Sequence, residues 1–504
     1  IGFYIENLMR SELSGNVIDL CPVGALTSKP FAFTSRPWEL KSYNSIDILD
    51  SLHSNIRVDV RGTKIMRILP RINYDLNEDW ITDKIRFSYD SFRRQRLYDP
   101  MVKVGGSFLK VGWKKAILFI KRFLYRFIAS NSKSSLIPLQ GYIGDHLDLE
   151  TIYLFKRFFL LNGSNFLYLV NTKNSIHNDF TQFYSFNTSI NRLNESDFCM
   201  LFDINLRIEL PIVNSKIKQL VSKKMLPVFV MGFYSNFNYF VKHISNSSKI
   251  FLQVLEGTHW LSTKVSKRFS NKPTFFIGDS SSLLRGDLFM PLFHFTNIFS
   301  NSWNGLNIVS NDSSYFALKE FNLSSIHSQN SNLLNFSINF ILNFDKISLS
   351  NPCAFHIYQG HHGDINAISS DLILPSTSFI EKNTFYSNSL AIVQKTKKVL
   401  FNPGNSRDDW KILNALIDSF GFSYFKVRTS FDLISLLSES TPFVLYKRSS
   451  AFKFFSFYGR SFYHFFNYFS VNNNYYISDS ITRNSRIMSL CYSKFKTKDY
   501  NFFR

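Results

Sequence analysis

The chain has 504 residues, room for three or four domains at about 150 residues each, and its 45% hydrophobic and 19% charged content supports globular cores and excludes wholesale disorder. The formal net charge of +21 is spread along the chain and not gathered in one tail. Such a chain can meet nucleic acid, anionic lipid or acidic proteins; a basic subunit balanced by acidic neighbours is the reading preferred before any motif is considered.

The 55 phenylalanines answer to no structural class and read as the coding bias of an AT-rich genome, such as an organelle's. No run reaches the ~18 consecutive apolar residues that span a bilayer; the best, 116–129, is broken by Lys121, Arg122 and Arg126. The sequence starts at Ile1 with neither a secretory signal nor an Arg- and Ser-rich transit peptide. The expectation is a matrix-side or cytoplasmic-side protein, encoded in the organelle that uses it.

Residues 1–40 read as a short helix and a loop, punctuated by Ser11, Ser14 and Gly15 and containing Cys21-Pro22. Ile56, Val58 and Val60 then alternate with Arg57 and Asp59, the period-two pattern of a half-buried strand, and Gly62-Thr63 supplies a turn. This predicts a small β-rich module over 41–100. Further on, helices alternate with short apolar runs. Asp148 predicts an N-cap, Glu150 lies in the first turn where the helix dipole favours an acid, and Gly163 predicts the stop. Strands are predicted at 166–170, 199–202, 227–231, 274–277 and 354–358. Their alternation with helical stretches argues for α/β architecture with a largely parallel sheet over 101–440. No internal repeat of fixed period is visible. The aromatic-, Ser- and Asn-rich stretch 441–475 opens an expected irregular tail, 441–504.

Four cysteines, Cys21, Cys199, Cys353 and Cys491, stand too far apart for a disulfide scaffold or a zinc knuckle, and no CxxC occurs. Thiols in a reducing compartment are the default. A Cys followed by Pro is a common last ligand of a 4Fe–4S cluster, because proline stops the helix and fixes the loop that aims the thiolate. Taken alone, Cys21-Pro22 reads as a plain buried cysteine. The surrounding residues change that reading.

Those residues are Glu12-Leu13-Ser14-Gly15-Asn16, Asp19-Leu20-Cys21-Pro22-Val23-Gly24-Ala25-Leu26 and Phe31-Ala32-Phe33-Thr34-Ser35-Arg36-Pro37-Trp38-Glu39. Further blocks are Met66-Arg67-Ile68-Leu69-Pro70-Arg71, Asn77-Glu78-Asp79-Trp80-Ile81-Thr82-Asp83-Lys84, Gln359-Gly360-His361-His362-Gly363-Asp364 and Asp371-Leu372-Ile373-Leu374-Pro375. Asp408-Asp409-Trp410-Lys411 and Asp479-Ser480-Ile481-Thr482-Arg483 complete the set. In this order they resemble the C-terminal part of the large iron–sulphur subunit family of respiratory complex I, the mitochondrial NADH:ubiquinone oxidoreductase. The match spans nearly the whole chain, more thinly over 165–350 and 420–475.

The resemblance implies a fold of three parts: 1–40 as the end of a 4Fe–4S-binding domain, 41–100 as the small β module, and 101–440 as molybdopterin oxidoreductase-like α/β domains. It implies that Cys21 is the fourth thiolate ligand of a 4Fe–4S cluster whose other three cysteines sit, in the family, in an upstream CxxCxxC run, so that the cluster is completed by another chain or by a longer form of this product. The implied partners are other complex I subunits, above all the chain with that run and the flavin-bearing subunit that binds NADH. Nucleic acid is not expected. The implied place is the matrix side of the mitochondrial inner membrane, as a peripheral subunit relaying electrons towards ubiquinone and carrying no catalysis of its own.

Molybdopterin enzymes often open with a further cluster of spacing C-x2-C-x3-C-x27-C, which falls here on Asp47, Asp50, Ser54 and Thr82. Carboxylates and hydroxyls are poor substitutes for thiolates on iron–sulphur clusters, so this cluster is expected to be missing. Asn388-Ser389-Leu390-Ala391 stands where such enzymes tend to have Asn-Glu-Gly-Arg, and Asp203-Ile204-Asn205-Leu206-Arg207 where they have Gly-Thr-Asn-Pro-Arg. The close backbone approach that Gly permits is in doubt at Asp203, and no molybdopterin is expected. The alternative is an active molybdenum or tungsten enzyme, which needs a metal-ligating Cys or Ser and an intact pterin cradle. A third reading, RNA binding through Arg93-Arg94-Gln95-Arg96, lacks any RNP, KH or zinc-finger signature, and a solvated or partner-facing patch is preferred. His361-His362, between glycines, reads as a loop and not a metal site, since neighbours on a strand point to opposite faces. Gly278-Asp279-Ser280 lacks the glycine pattern of a phosphate loop.

Overall fold

The computed structural model describes residues 11–130, 139–164, 181–232, 235–246, 272–278, 303–323, 338–344, 354–421, 429–440 and 474–499, with a few shorter stretches between them. The period-two residues make the middle strand of a three-stranded antiparallel sheet: β1 (Lys41–Ile46), β2 (Asn55–Arg61) and β3 (Lys64–Pro70). Val58 lies opposite Tyr43 on one side and Ile68 on the other. A helix, α1 (Asn16–Leu20), precedes this sheet and α2 (Asp83–Phe87) follows it. The apolar face of the sheet packs on Ile81 and Ile85, and then on residues far away in the chain: Phe379, Ile380, Tyr386 and Ile481.

The α/β region contains two parallel sheets, one inserted in the other. A hairpin of β4 (Met101–Val104) and β5 (Ser107–Lys110) is followed by β6 (Leu139–Ile143) and β7 (Leu167–Leu169). The chain then leaves to build an all-parallel sheet from β8 (Phe198–Phe202), β9 (Val228–Met231), β10 (Lys242–Ser245), β11 (Pro273–Gly278) and β12 (Leu306–Val309), in the order β10-β9-β8-β11-β12. It returns with β13 (Ile338–Leu342), β14 (Phe355–Gly360) and β15 (Leu372–Pro375), which complete the first sheet in the order β5-β4-β15-β14-β13-β6-β7. Only β4 runs against the rest; β5, its hairpin partner, turns back to run with them. Every residue of β8, β9, β11, β12 and β13 is buried, because crossover helices cover both faces of a parallel sheet.

Among the helices that pack on the first sheet are α3 (Trp113–Ser130) and α4 (Leu149–Leu161). Asp148 caps α4 as expected, accepting from Thr151 N at 3.3 Å and Thr151 Oγ1 at 2.7 Å, and Gly163 adopts φ +71° beyond its end. Glu150 lies in the first turn as expected, and it is also buried, with both its oxygens accepting the Phe385 N–H at 3.1 Å. Phe155 and Phe159 of α4 lie so close over β6 that a Cβ at Gly141 would meet Phe159 Cζ at 2.7 Å.

The expected irregular tail, 441–504, is regular over its described part. A 3-10 turn at Tyr475–Ile477 leads into helices Ser480–Arg483 and Arg486–Asp499, whose start is bound to the β module through Asp90. Buried Ile481 draws this segment into the module's core, which is why it is ordered. Residues 441–473 lie outside the described residues. No helix among the described residues is long and apolar enough to cross a membrane.

Candidate functional site

Helix α1 has five residues, too few to hold on local hydrogen bonds alone. Side chains from elsewhere fix it. Asp83 stands at its start, accepting from Gly15 N at 2.7 Å and Ser14 Oγ at 2.6 Å. Asn16 donates to Ile81 O and accepts from Ile81 N and from Arg86 Nη2. Arg86 also pairs with Asp19 at 2.7 Å. Upstream, Glu12 is bound by Arg207 Nε, 2.8 Å from each carboxylate oxygen, and its carbonyl accepts from Asp83 N and the Tyr475 hydroxyl. A Cβ at Gly15 would meet Arg86 Cδ at 2.6 Å, so only glycine lets the segment lie against α2.

Cys21 is the first residue after α1, in an extended conformation (φ −75°, ψ 111°) that turns the chain out of the helix. Its Sγ lies 2.9 Å from the Val23 carbonyl and is partly exposed. Backbone hydrogen bonds from Leu26, Val23 and Ala25 hold the thiol below its ordinary range. A sulphur ringed by backbone groups and open on one side suits a metal-bound thiolate. The donor set is one thiolate: among the described residues no three His, Cys, Asp or Glu side chains converge on a metal position. Cys199 is buried in the inserted sheet, where burial pushes its thiol upward, and Cys491 lies on the last helix. Cys353 falls outside the described residues.

The four positions at which a further cluster would need cysteines are all buried: Asp47, Asp50, Ser54 and Thr82. Burial, then the neighbouring Asp50 carboxylate, holds Asp47 well above its ordinary value, and burial raises Asp50 to about 6. Asp47 Oδ2, Asp50 Oδ2, Ser54 Oγ and Thr82 Oγ1 have no hydrogen-bond partner among the described residues. These oxygens do not replace four sulphurs.

Open α/β sheets bind ligands outside the carboxyl ends of their strands, where strand order reverses. In the first sheet that point lies between β6 and β13. Asp145 and His146 after β6, Asn343 and Phe344 after β13, and His361 after β14 meet there. Asp479, Ser480 and Arg483 close the space, leaving a cavity of about 10 Å³, room for about one water. Arg483 pairs with Asp364 at 2.6 Å. Beside the cavity Lys382 Nζ lies 2.5 Å from Asp148 and 2.8 Å from Asp409, and Arg96 pairs with Glu381 at 2.6 Å, all buried.

The two blocks that differ from the molybdopterin-enzyme pattern have left-handed residues, and polar side chains in each are bound internally. Asp203 adopts φ +48°, the left-handed conformation a glycine would take. Arg207 is committed to Glu12. Ala391 adopts φ +60°, while Asn388 and Ser389 donate to the carbonyls of Leu52 and Ser51 in the β module.

His361 and His362 are buried, with Nδ1 atoms 2.5 Å apart and His362 Nε2 bound to Ser91 O. Burial first, then neighbouring positive groups, keeps both rings low in proton affinity, His362 at about 3. Arg93–Arg96 is dispersed: Arg93 reaches Thr63, Arg94 is exposed and Arg96 is buried against Glu381. Gly278 ends β11 with Asp203 O 2.7 Å from where a Cβ would stand, and residues 279–280 lie outside the described residues. The Lys382 ion cluster and the Arg86 anchor escaped the sequence reading. Their members are tens to hundreds of residues apart, and no local pattern marks them.

A parallel α/β body fronted by an anchored Cys-Pro loop defines a class: a molybdopterin oxidoreductase-type fold joined to an iron–sulphur domain. Family models agree: molybdopterin oxidoreductase matches residues 96–419, the NDSU1/NuoG-like 4Fe-4S domain of NADH-ubiquinone oxidoreductase 40–90, and the ferredoxin-like domain of NADH-quinone oxidoreductase subunit 3 residues 1–27. The NADH-ubiquinone oxidoreductase 75 kDa subunit of Acanthamoeba castellanii is 78% identical over 503 residues, spanning 100% of this chain and 74% of the relative. The NADH-ubiquinone oxidoreductase 75 kDa subunit of Reclinomonas americana is 36% identical over 98% of this chain and 74% of its own length. The mitochondrial NADH dehydrogenase [ubiquinone] iron-sulfur protein 1 of Solanum tuberosum is 32% identical over 97% and 66%. The chain belongs to the family of the 75 kDa iron–sulphur subunit of NADH-ubiquinone oxidoreductase, complex I.

Proposed function

We propose that this chain is the electron-relay scaffold of a mitochondrial complex I and supplies Cys21 as one ligand of a 4Fe–4S cluster shared with a second polypeptide. The observation that carries this reading is the Cys21 loop: a partly exposed thiol, lowered by backbone hydrogen bonds, at the end of a helix pinned by Asp83, Asn16 and Arg86. A cluster is normally held by four thiolates, and this reading assigns the other three to a CxxCxxC run. When bound, the cluster would accept one electron and pass it on; this chain's residues hold its corner and lower the proton affinity of the thiol through backbone hydrogen bonds. The flavin-bearing, NADH-binding subunit is a further partner, and the matrix face of the inner membrane is the place.

The α/β body serves as packing surface and binds no molybdopterin. A cavity of about 10 Å³ at the switch point cannot take a pterin, and Arg207, Asn388 and Ser389 are tied to internal partners. The test is electron paramagnetic resonance of the reduced complex carrying Cys21→Ser. The expected result is a lost or altered 4Fe–4S signal, weaker retention of the CxxCxxC chain, and NADH-to-quinone flow cut more than flavin reduction. An unchanged cluster spectrum would refute the assignment.

A further inference from the structure

We infer that Asp19 and Arg86 are opposed charges that each shift the reduction potential of the cluster held at Cys21 and, in contact, offset one another; this rests on the reading of Cys21 as a ligand. Arg86 comes from α2, outside the ligand loop, yet its side chain is only 5% exposed and its Nη2 lies 2.7 Å from Asp19 Oδ2 and 2.6 Å from Asn16 Oδ1. Asp19 is 27% exposed and stands two residues before Cys21, within the same helical turn. The pair is therefore a built feature of the ligand segment. Gly15 is needed to admit the Arg86 stem, and Asn16 is buried to orient the guanidinium.

Reduction adds one negative charge to the cluster. A fixed positive charge nearby favours the reduced state and a fixed negative charge the oxidised state, and these effects persist where burial limits screening. Arg86 and Asp19 thus act on the potential with opposite sign, and their contact makes the net effect small. Arg86 is a positioning residue as well, since it holds α1 through Asn16. Charge and position can be separated, because a positional role changes how much cluster is present, while a charge role changes the potential at which it is reduced.

The experiment is a redox titration of the intact purified complex, read by electron paramagnetic resonance, for Asp19→Asn, Arg86→Met, the double variant and Arg86→Lys. Asp19→Asn is expected to raise the midpoint and Arg86→Met to lower it. The double variant should return close to the parent, and Arg86→Lys should keep the parent midpoint with a lower cluster content. Should Arg86→Met fail to assemble, Asp19→Asn decides alone, being a nearly isosteric change at a partly exposed position. An occupied cluster with an unchanged or lowered midpoint in Asp19→Asn overturns the inference. A cluster that survives Cys21→Ser instead overturns the ligand assignment on which it stands.

Discussion

Replacing Lys382 with Met would remove the cation lying between two buried carboxylates. Lys382, Asp148 and Asp409 are 2%, 0% and 0% exposed, with Nζ 2.5 Å from Asp148 Oδ1 and 2.8 Å from Asp409 Oδ2. Burial pushes the Lys382 ammonium down, but Asp148 and Asp409 outweigh it and hold it well above the ordinary lysine value. Its stabilising contribution is therefore fully present below that range and constant across neutral pH. Breaking a buried ion pair by removing one partner costs about 3–5 kcal/mol. Here one ammonium serves two carboxylates, so the upper end applies at high pH. At lower pH a proton can take the cation's place. In the variant a carboxylate's folded pKa is raised, and the stability its protonated form provides is present at low pH and lost as the pH rises. Urea denaturation at about pH 5 and pH 8 should thus show a deficit of about 3–5 kcal/mol at the higher pH and a smaller one at the lower. Lys382→Met combined with Asp409→Asn should recover part of the loss. A deficit below about 1 kcal/mol at pH 8, within reach of an ordinary surface substitution, or one independent of pH, would refute the reasoning.

Asp50→Asn should stabilise the chain at neutral pH. Burial raises Asp50 to about 6 from an ordinary 3.8, so the parent loses stability as pH climbs between these values and the variant does not; the gain, read by urea denaturation, should plateau above pH 6 at no more than about 3 kcal/mol. Cys199→Ser and Cys491→Ser should leave the 4Fe–4S spectrum intact, and a lost signal in either would move the ligand. Elemental analysis of the purified complex should find neither molybdenum nor tungsten in stoichiometric amount on this chain.

The residues with local signatures announced their structure. Asp148 and Gly163 bracket α4 because a side-chain cap and a left-handed stop are both set by near neighbours. Ile56, Val58 and Val60 made β2 legible by alternation. Strand β6 was missed, since Gln140 and Gly141 interrupt its apolar run, and its reason for being a strand is the pairing with β13 far along the chain. Strand β13 was also missed, a short buried run of a kind that periodicity alone cannot tell from a helix. Glu150 was placed in the first turn by local signals, but its bond to Phe385, 235 residues on, left no trace in the sequence. Cys21 stood out only through its family resemblance. The loop that lowers its thiol is local, but the Asp83, Arg86 and Arg207 contacts that fix it are tertiary and left no trace in the spacing.

The inserted sheet imposes an order of assembly. As the chain emerges, β6 and β7 appear before the insertion and pair with each other, but the other partner of β6 is β13, which arrives only after the whole of β8 to β12. Until then one edge of β6 is an open row of backbone donors and acceptors, the kind of edge that recruits foreign strands. The inserted sheet, complete by Val309, can close on itself while the outer one waits. The β module waits longer still, because Ile481 belongs to its core. A nascent chain truncated before Ile481 would thus carry its ligand segment on an unfinished module, and a helix made late is what readies a loop made early to receive a cluster.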